Sequence, residues 1–416
     1  AMEYVEADDF YRRAHQILFQ AMVNLNNDGE AIDVLTVQNY LTTNNQLDDV
    51  GGVAYIAELA TSVPTAANAG YYAKIVEEKS MLRRLISTAT NIITQANNGD
   101  DDVPSLLDSA ERQIMDVSER RNRSGFREIK DVLNETLSDI DRLSQQSEDI
   151  TGLPTGYREF DKMTAGLQPD NLIILAARPA VGKTAFALNI AQNVATSTDT
   201  SVAIFSLEMP AEQLIMRMIS SLGQIDNKKL STGKLENDDW KRFNEAISIL
   251  ADTNIFFHDA GGVTPSEIKA KCRRLATQGE GLGLVIIDYL QLIDSSSRYS
   301  GSRQQEVSEI SRALKTMALE LEVPVIALSQ LSRSVEKRED KKPVLSDLRE
   351  SGSIEQDADI VAALHAPDVE TPVGDEVPNP IQLIILKHRN GPTKTIDLLF
   401  KKKTSTFLSI KRDGGN

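Results

Sequence analysis

Hydrophobic positions follow a helical spacing over the first third of the chain and then gather into short apolar blocks. Phe10, Ala14, Ile17, Leu18, Ala21 and Leu25 fall on one stripe of a helix, and Tyr72, Ile75, Val76, Lys79 and Leu82 belong to a longer one. The region from Asp8 to about Ser118 is therefore predicted to be all-helical. Two stretches without apolar residues, 97–102 and 118–125, read as a loop and a linker. Between the linker and the next block lies one amphipathic helix. Ile129, Val132, Leu133, Leu137, Ile140 and Leu143 share a face, with acids, Lys130 and Arg142 opposite. A single tethered helix must bury that stripe on something, either the following domain or an adjacent subunit.

From Thr151 onward the texture changes. Leu172–Ala176, Val202–Ser206, Leu284–Asp288, Val325–Gln330 and Gln382–Leu386 are short apolar runs separated by helix-like stretches, the pattern of a largely parallel sheet. Thr264-Pro265-Ser266-Glu267 opens one helix with a capping box and a proline at its first position. The predicted organisation is an all-helical domain over 1–117, a linker with its docking helix over 118–150, and an α/β domain over 151–416.

Composition narrows the class. The chain has 416 residues, 41% of them hydrophobic, enough for a sizeable core. No apolar run approaches the roughly 20 residues that span a bilayer, and no secretory pattern opens the chain. A soluble, intracellular protein without membrane partners is the expectation. The lone Cys272 excludes an internal disulfide and a cysteine-based zinc site, and reads as a packed core thiol. The four histidines are scattered without metal-ligand spacing, and His15, His258 and His365 read as structural. A net charge of −16 argues against a binder of nucleic acid that is basic all over, but leaves room for a localised basic channel. Basic residues do cluster late, at Lys387, Arg389, Lys394, Lys401, Lys402, Lys403, Lys411 and Arg412. Lys387 and Arg389 stand apart because they follow an apolar run and precede the turn Asn390-Gly391-Pro392. Two cations at a strand end can reach a phosphate, in this subunit or in a neighbour.

The apolar runs end in matching chemistry. Ala177-Arg178-Pro179-Ala180-Val181-Gly182-Lys183-Thr184 stands between a strand and a helix, the setting of a loop that cradles phosphates. Its amides and the helix N-terminus attract anions, Lys183 adds a point charge, and Thr184 can reach Mg²⁺. Ala177 stands where the general pattern has glycine. Glu208, just past the second strand, can take a proton from an attacking water, and Asp288 ends a Walker B strand suited to Mg²⁺. Gln330 ends the fourth run, where its amide can sense a γ-phosphate. Any one of these could simply terminate a buried strand, but four together point to a nucleoside triphosphate. Beyond Gln330, Leu331 to Pro343 is charged and expected to be mobile. In the polar run that follows, Arg349 and the backbone near Gly352 could grip phosphate, and no interleaved aromatics suggest base stacking.

Five motifs carry a resemblance: Ala177 to Thr184, Phe205-Ser206-Leu207-Glu208-Met209, Ile287-Asp288-Tyr289-Leu290-Gln291-Leu292, Asp347-Leu348-Arg349-Glu350-Ser351-Gly352 with Ile354-Glu355-Gln356-Asp357-Ala358-Asp359, and Lys387-His388-Arg389-Asn390-Gly391. In order and spacing the chain resembles bacterial replicative DNA helicases of the DnaB type over nearly its whole length. That family often lacks the first glycine of the loop, so Ala177 is no exception within it. The resemblance implies a RecA-like ATPase that binds ATP through Arg178, Pro179, Ala180, Val181, Gly182, Lys183 and Thr184, with Arg217 near the nucleotide. Thr184 and Asp288 would hold Mg²⁺, Glu208 would activate water, and Gln330 would couple the γ-phosphate to the segment behind it. Lys387 and Arg389 would complete a neighbour's site, so the implied assembly is a homohexamer threaded by single-stranded DNA with 5′–3′ polarity. Arg349, Glu350 and Gly352 match the loop holding the DNA backbone, with Glu350 acting through Arg349 or through its own N–H. The linker helix would dock on the next subunit. The N-terminal domains would form a collar recruiting primase, and a helicase loader and a cytoplasmic, nucleoid-associated location are also implied. Family members carry further residues before the segment resembling Glu3-Tyr4-Val5-Glu6, so an incomplete N-terminal domain is expected. A RecA-type or RadA-like repair ATPase shares the core, but the helical N-terminal region and tethered helix do not suit it, and RadA-like proteins carry a four-cysteine module. A non-translocating, ATP-gated loading factor is the other alternative.

Overall fold

The computed structural model describes residues 4–62, 68–98, 129–144, 150–278, 281–294, 303–338, 340–348, 352–367 and 377–410, with isolated positions between 103 and 117. The chain divides into two compact units, Ala1–Ile140 and Asp141–Asn416. Among the described residues, no helix is long and apolar enough to cross a membrane.

The first unit is helical: α1 (Arg13–Asn27), α2 (Val34–Thr43), α3 (Gly52–Ser62), α4 (Ala69–Asn98) and α5 (Ile129–Ser144), which runs past the division. Leu18, Ala21 and Leu25 of α1 pack with Val37 and Leu41 of α2 and Ile56 of α3. Asp33 caps α2, accepting from the amides of Leu35 and Thr36, both at 2.8 Å. Phe10 belongs to the helical stripe by spacing but lies outside α1, just after the short turn Ala7–Asp9. Tertiary hydrogen bonds hold it there. Asp9 accepts from Ser80 and Arg84 of α4, Arg83 donates to its carbonyl, and Gln16 donates to the carbonyl of Phe10. The ring then packs on Phe19, with centroids 5.0 Å apart. On α5, Ile129, Val132, Leu133, Leu137 and Ile140 are all exposed.

The second unit is built on a nine-stranded sheet in the order β3-β2-β4-β5-β1-β6-β7-β8-β9. Its strands are β1 (Leu172–Ala177), β2 (Ser201–Ser206), β3 (Ile255–His258), β4 (Leu282–Asp288), β5 (Val325–Gln330), β6 (Ile360–His365), β7 (Asn379–His388), β8 (Thr395–Lys401) and β9 (Thr406–Ser409). Its described helices are α6 (Arg158–Thr164), α7 (Lys183–Ser197), α8 (Ala211–Gly223), α9 (Asn227–Thr232), α10 (Asn237–Ala251), α11 (Pro265–Ala276), α12 (Arg303–Leu321) and α13 (Gly352–Asp357). The first six strands are parallel, as the alternation of runs and helices predicts, and the last three extend the sheet antiparallel. Pairing on both edges and burial on both faces explain why β1 and β2 read as continuous apolar runs rather than alternating ones, and β6, which is not among the predicted runs, has the same buried pattern. Successive side chains still point to opposite faces. Ile173, Leu175 and Ala177 pack against the helix that follows the loop, α7 (Lys183–Ser197), through Phe186 and Ile190. Leu172, Ile174 and Ala176 face α11 (Pro265–Ala276) and α12 (Arg303–Leu321), through Ile268, Cys272, Ile310 and Leu314. The capping box on Thr264 and Glu267 forms as predicted. Cys272 is fully buried, and burial pushes its thiol up to about 12.

Two local readings change. β7 runs on through Lys387 and His388, so only Arg389 of that trio lies beyond the strand. Leu331 to Pro343, expected to be mobile because it is so charged, is anchored at several points. Leu331 bridges Leu348, Val335 is buried inside a 3-10 turn, and Arg338 pairs with the buried carboxylate of Asp347. Arg338 is thus spent on a buried carboxylate, while Arg333, Glu336, Asp340, Lys341 and Lys342 face solvent.

At the other end of the sheet, Asn189 of α7 locks the last strand in place. Its side chain accepts from the Phe407 amide at 2.8 Å and donates to the Ser405 carbonyl at 3.2 Å and to Ser221 Oγ at 3.1 Å. Replacing Asn189 with alanine leaves a buried N–H unsatisfied, so Asn189→Ala should lose about 1–3 kcal/mol of stability, read as a lower urea midpoint of the second unit's unfolding. An unchanged midpoint would show that water replaces the amide at no cost. A second expectation concerns Cys272. Buried and held as the thiol, it should resist a thiol reagent at pH 8 and react only when the protein unfolds.

Candidate active site

The parallel register sets the ends of four strands side by side. Ala177 pairs with Gln330 across β1 and β5, and Ser206 pairs with Asp288 across β2 and β4. The chain leaves β1 at Ala177 and re-enters regular structure at Lys183, the first residue of α7. Ala177 is a buried strand residue paired on both sides, so a side-chain methyl fits where other such loops have glycine. Gly182 is different. It has φ +108°, and a Cβ there would come within 3.0 Å of Phe407 and 3.2 Å of Phe400, whose rings stack beneath the loop. Only glycine combines that backbone with that floor.

Lys183, Thr184 and Asp288 form a tight cluster. Thr184 Oγ1 donates to Asp288 Oδ2 at 2.6 Å, and Lys183 Nζ lies 3.4 Å from Asp288 Oδ1 and 4.6 Å from the centre of the Tyr289 ring. At 3.4 Å the ammonium makes an ion pair but no well-formed hydrogen bond, and Oδ1, buried in a residue only 2% exposed, has no hydrogen-bond partner. Burial lowers the pKa of Lys183, while the charges of Asp288 and Glu208 oppose that shift. A buried carboxylate oxygen without a donor, beside a threonine hydroxyl, suits a hard cation. Among the described residues no group of three or more His, Cys, Asp or Glu could hold a metal alone. That fits Mg²⁺, which keeps waters and phosphate oxygens and needs only one or two protein groups.

Around this cluster lies a cavity of about 820 Å³. Arg178, Pro179, Ala180, Gly182, Lys183 and Thr184 line it, with Glu208, Gln330 and Arg217, the last on α8 (Ala211–Gly223). Val181 packs against the core instead. Lys402, Ser405, Phe400, Asn227, Lys228 and Ser231 also line the cavity, and motif reading did not single them out as a site. For Lys402 a signal was present in the late basic cluster. Phe400 and Ser405 reach the cavity because β8 and β9 fold back beside α7, while Asn227, Lys228 and Ser231 come from the short helix Asn227–Thr232 that follows α8.

The remaining predicted residues lie elsewhere. Lys387 Nζ donates to the carbonyls of Ala358 and Glu355, at the end of α13 (Gly352–Asp357). Burial, with the nearby charge of Arg389, lowers its pKa. Arg389 is 61% exposed, and its guanidinium touches the buried Asp359 only at 3.4 Å. Neither residue lines the cavity of its own chain. Gly352 opens α13 on the surface, and a Cβ there would meet nothing within 4 Å. Arg349 and Glu350 lie outside the described residues.

A parallel sheet with a phosphate-cradling loop, a Walker B carboxylate and an acid past the neighbouring strand defines a P-loop ATPase of the RecA-like class. The family model described as the DnaB-like helicase C terminal domain matches residues 152–409, and that of the DnaB-like helicase N terminal domain matches residues 1–78. The chain belongs to the DnaB-like helicase family and is an ATP-dependent replicative DNA helicase. It is 55% identical to the replicative DNA helicase DnaC of Bacillus subtilis (strain 168), over 99% of this chain and 90% of that protein. To the replicative DNA helicase DnaB of Pasteurella multocida (strain Pm70) it is 43% identical, over 98% and 89%. Among solved structures, a DnaB-like replicative helicase described with its interactions with primase superposes with a TM-score of 0.80 at 34% identity, covering 98% of this chain and 94% of that one. A second solved structure, described as an ATPase domain, matches at a TM-score of 0.64 and 40% identity, over 69% and 100%.

The floor beneath Gly182 yields a prediction. Gly182→Ala forces both a disfavoured backbone and a ring displacement, at a cost of about 1–3 kcal/mol. The variant should melt earlier and gain less from added nucleotide than the unaltered protein in a thermal shift measurement. Equal nucleotide-induced shifts in both would mean that the loop does not hold the ligand.

Proposed function

We propose that the cavity binds ATP with Mg²⁺ and that hydrolysis is completed by a residue of a neighbouring subunit in a homohexamer that tracks single-stranded DNA. The observation that carries this reading is a division of labour. Lys183, Thr184, Asp288, Glu208 and Gln330 converge at one set of strand ends, while the exposed Arg389 stands outside its own chain's cavity.

The loop amides, Lys183 and Arg217 hold the triphosphate, and Thr184 and Asp288 would hold Mg²⁺. When bound there, the ion would neutralise charge developing on the phosphoryl oxygens. Glu208 orients water and accepts its proton, and Gln330 passes the state of the γ-phosphate to the segment that begins at Leu331. Arg389, with Lys387 supporting it, reaches the neighbour's phosphates. In this reading 1–117 is the N-terminal domain that meets primase, 118–150 carries the helix that docks on the next subunit, and 151–416 is the motor. Arg349, Glu350 and Gly352 hold the DNA backbone, with 5′–3′ movement. A helicase loader places the ring on DNA, and the enzyme works in the cytoplasm at the nucleoid.

Three measurements test the assignment. Glu208→Gln should bind ATP normally yet turn it over about 10²-fold or more slowly, since only the general base is lost. Arg389→Ala should keep ATP binding and lose most hydrolysis, because such a finger contributes roughly 10³ to 10⁵ in rate in well-studied GTPases. Mixing Arg389→Ala with Lys183→Ala subunits should restore part of the turnover, since some interfaces then join an intact loop to an intact finger. Exchange of subunits without any recovered ATPase activity would place the finger within its own chain.

A further inference from the structure

We propose that Arg178 is a positioning residue, and that its grip on Glu336 couples the nucleotide loop to the DNA-handling segment. The inference rests on the reading above, in which Arg349, next in sequence after Leu348, holds the DNA backbone.

Arg178 immediately follows β1, so its backbone moves with the phosphate loop. Its guanidinium is committed elsewhere. Nη1 donates to the Leu331 carbonyl at 2.9 Å, and Nε donates to Glu336 Oε1 at 2.9 Å, with Nη2 on the same oxygen. Three of the five guanidinium N–H groups are thus spent on two residues of one segment, held in a single rigid plane. The Glu336 carboxylate is 58% exposed against 19% for the Arg178 side chain, and an ion pair open to solvent on its acidic side contributes little to stability. Its physical value is geometric.

The segment it grips transmits displacement because it is closed upon itself. Leu331 N donates to the Ala177 carbonyl at 3.0 Å, and Leu331 bridges Leu348. Ser332 N donates to the Asp347 carbonyl at 2.8 Å. The buried Asp347 carboxylate accepts from Val344 N at 2.8 Å and Ser334 Oγ at 3.1 Å, and pairs with Arg338. Leu348 is itself buried. A shift of the loop therefore reaches Leu348 by two routes, the Leu331 backbone bond and the Arg178 fork. Only the fork can be removed without breaking the sheet.

The test is steady-state ATP hydrolysis by the full chain, with and without oligo(dT). In Glu336→Ala the DNA-free rate should stay within about twofold, since the change removes an ion pair and its two hydrogen bonds while Arg178 keeps its bond to the Leu331 carbonyl and no residue assigned to ATP hydrolysis is altered. Stimulation by oligo(dT) should fall about fivefold or more, the size of an ordinary coupling free energy. Arg178→Lys should lose stimulation as well, because an ammonium cannot hold two acceptors in one plane. Combining the two changes should reduce stimulation no further than either alone, as members of one contact must. Undiminished stimulation in Glu336→Ala, or equal loss of the DNA-free and DNA-stimulated rates, would overturn the proposal. Anisotropy of labelled oligo(dT) with the unaltered chain separates the two levels of failure. No binding and no stimulation there would remove the DNA reading itself, and the coupling with it.

Discussion

The nucleotide end of the molecule depends on the way β1 is held. Hydrophobic burial alone would allow this strand to slide along its axis, since every residue from Leu172 to Ala177 is apolar and buried. Two parallel ladders, to β5 and β6, remove that freedom. A third constraint acts at the start of the strand. Leu172 N donates to Asp359 Oδ2 at 2.9 Å, and the Asp359 amide donates back to the Leu172 carbonyl at 2.9 Å. Lys315 Nζ, 2.7 Å from the same carboxylate oxygen, offsets the cost of burying it. With both ends of β1 determined, the loop after Ala177 has one place to be, and Gln330 is set beside it.

Charge at that place is arranged under tension. Lys183 is drawn out of water far enough for burial to lower its pKa, while Asp288 and Glu208 act in the other direction. The cluster thus has a cation whose solvation is incomplete and a carboxylate oxygen whose hydrogen bonding is incomplete. Such groups interact more strongly with incoming charge than the same groups in water, because less solvent has to be displaced. A polyanion accompanied by a divalent cation satisfies both.

Asp359 also links this site to the opposite side of the same unit. It accepts from Arg389 Nη1 at 3.4 Å, and its carbonyl accepts from the Arg389 amide at 2.8 Å. One buried carboxylate therefore touches the start of the strand that carries the phosphate loop and the residue assigned to the neighbouring site. Asp347 performs a similar service for the segment after β5. Polar residues in both places look like solvent-facing sequence, yet their hydrogen bonds are internal.

Legibility follows from the range of the interactions involved. The chain's own pattern determined what depends on neighbours within a few residues: the helix stripes, the capping box at Thr264, the apolar strands, and the loop whose chemistry resides in consecutive residues. It also marked Glu208, Asp288 and Gln330, because a polar residue ending a buried strand is a local signal. Only the tertiary structure decided what depends on distant segments meeting. Asp9 and α4 turn Phe10 out of its helix, α7 and β9 bring Lys402 and Ser405 to the cavity, and Asp347 anchors a stretch whose charge suggested mobility. Arg178 shows the limit most clearly. Its position in the loop was evident from the sequence, but the direction of its guanidinium was set by Glu336 and the Leu331 carbonyl, more than 150 residues away. Hydrogen bonds between such remote partners leave no periodic trace in a sequence, since either residue alone is chemically ordinary.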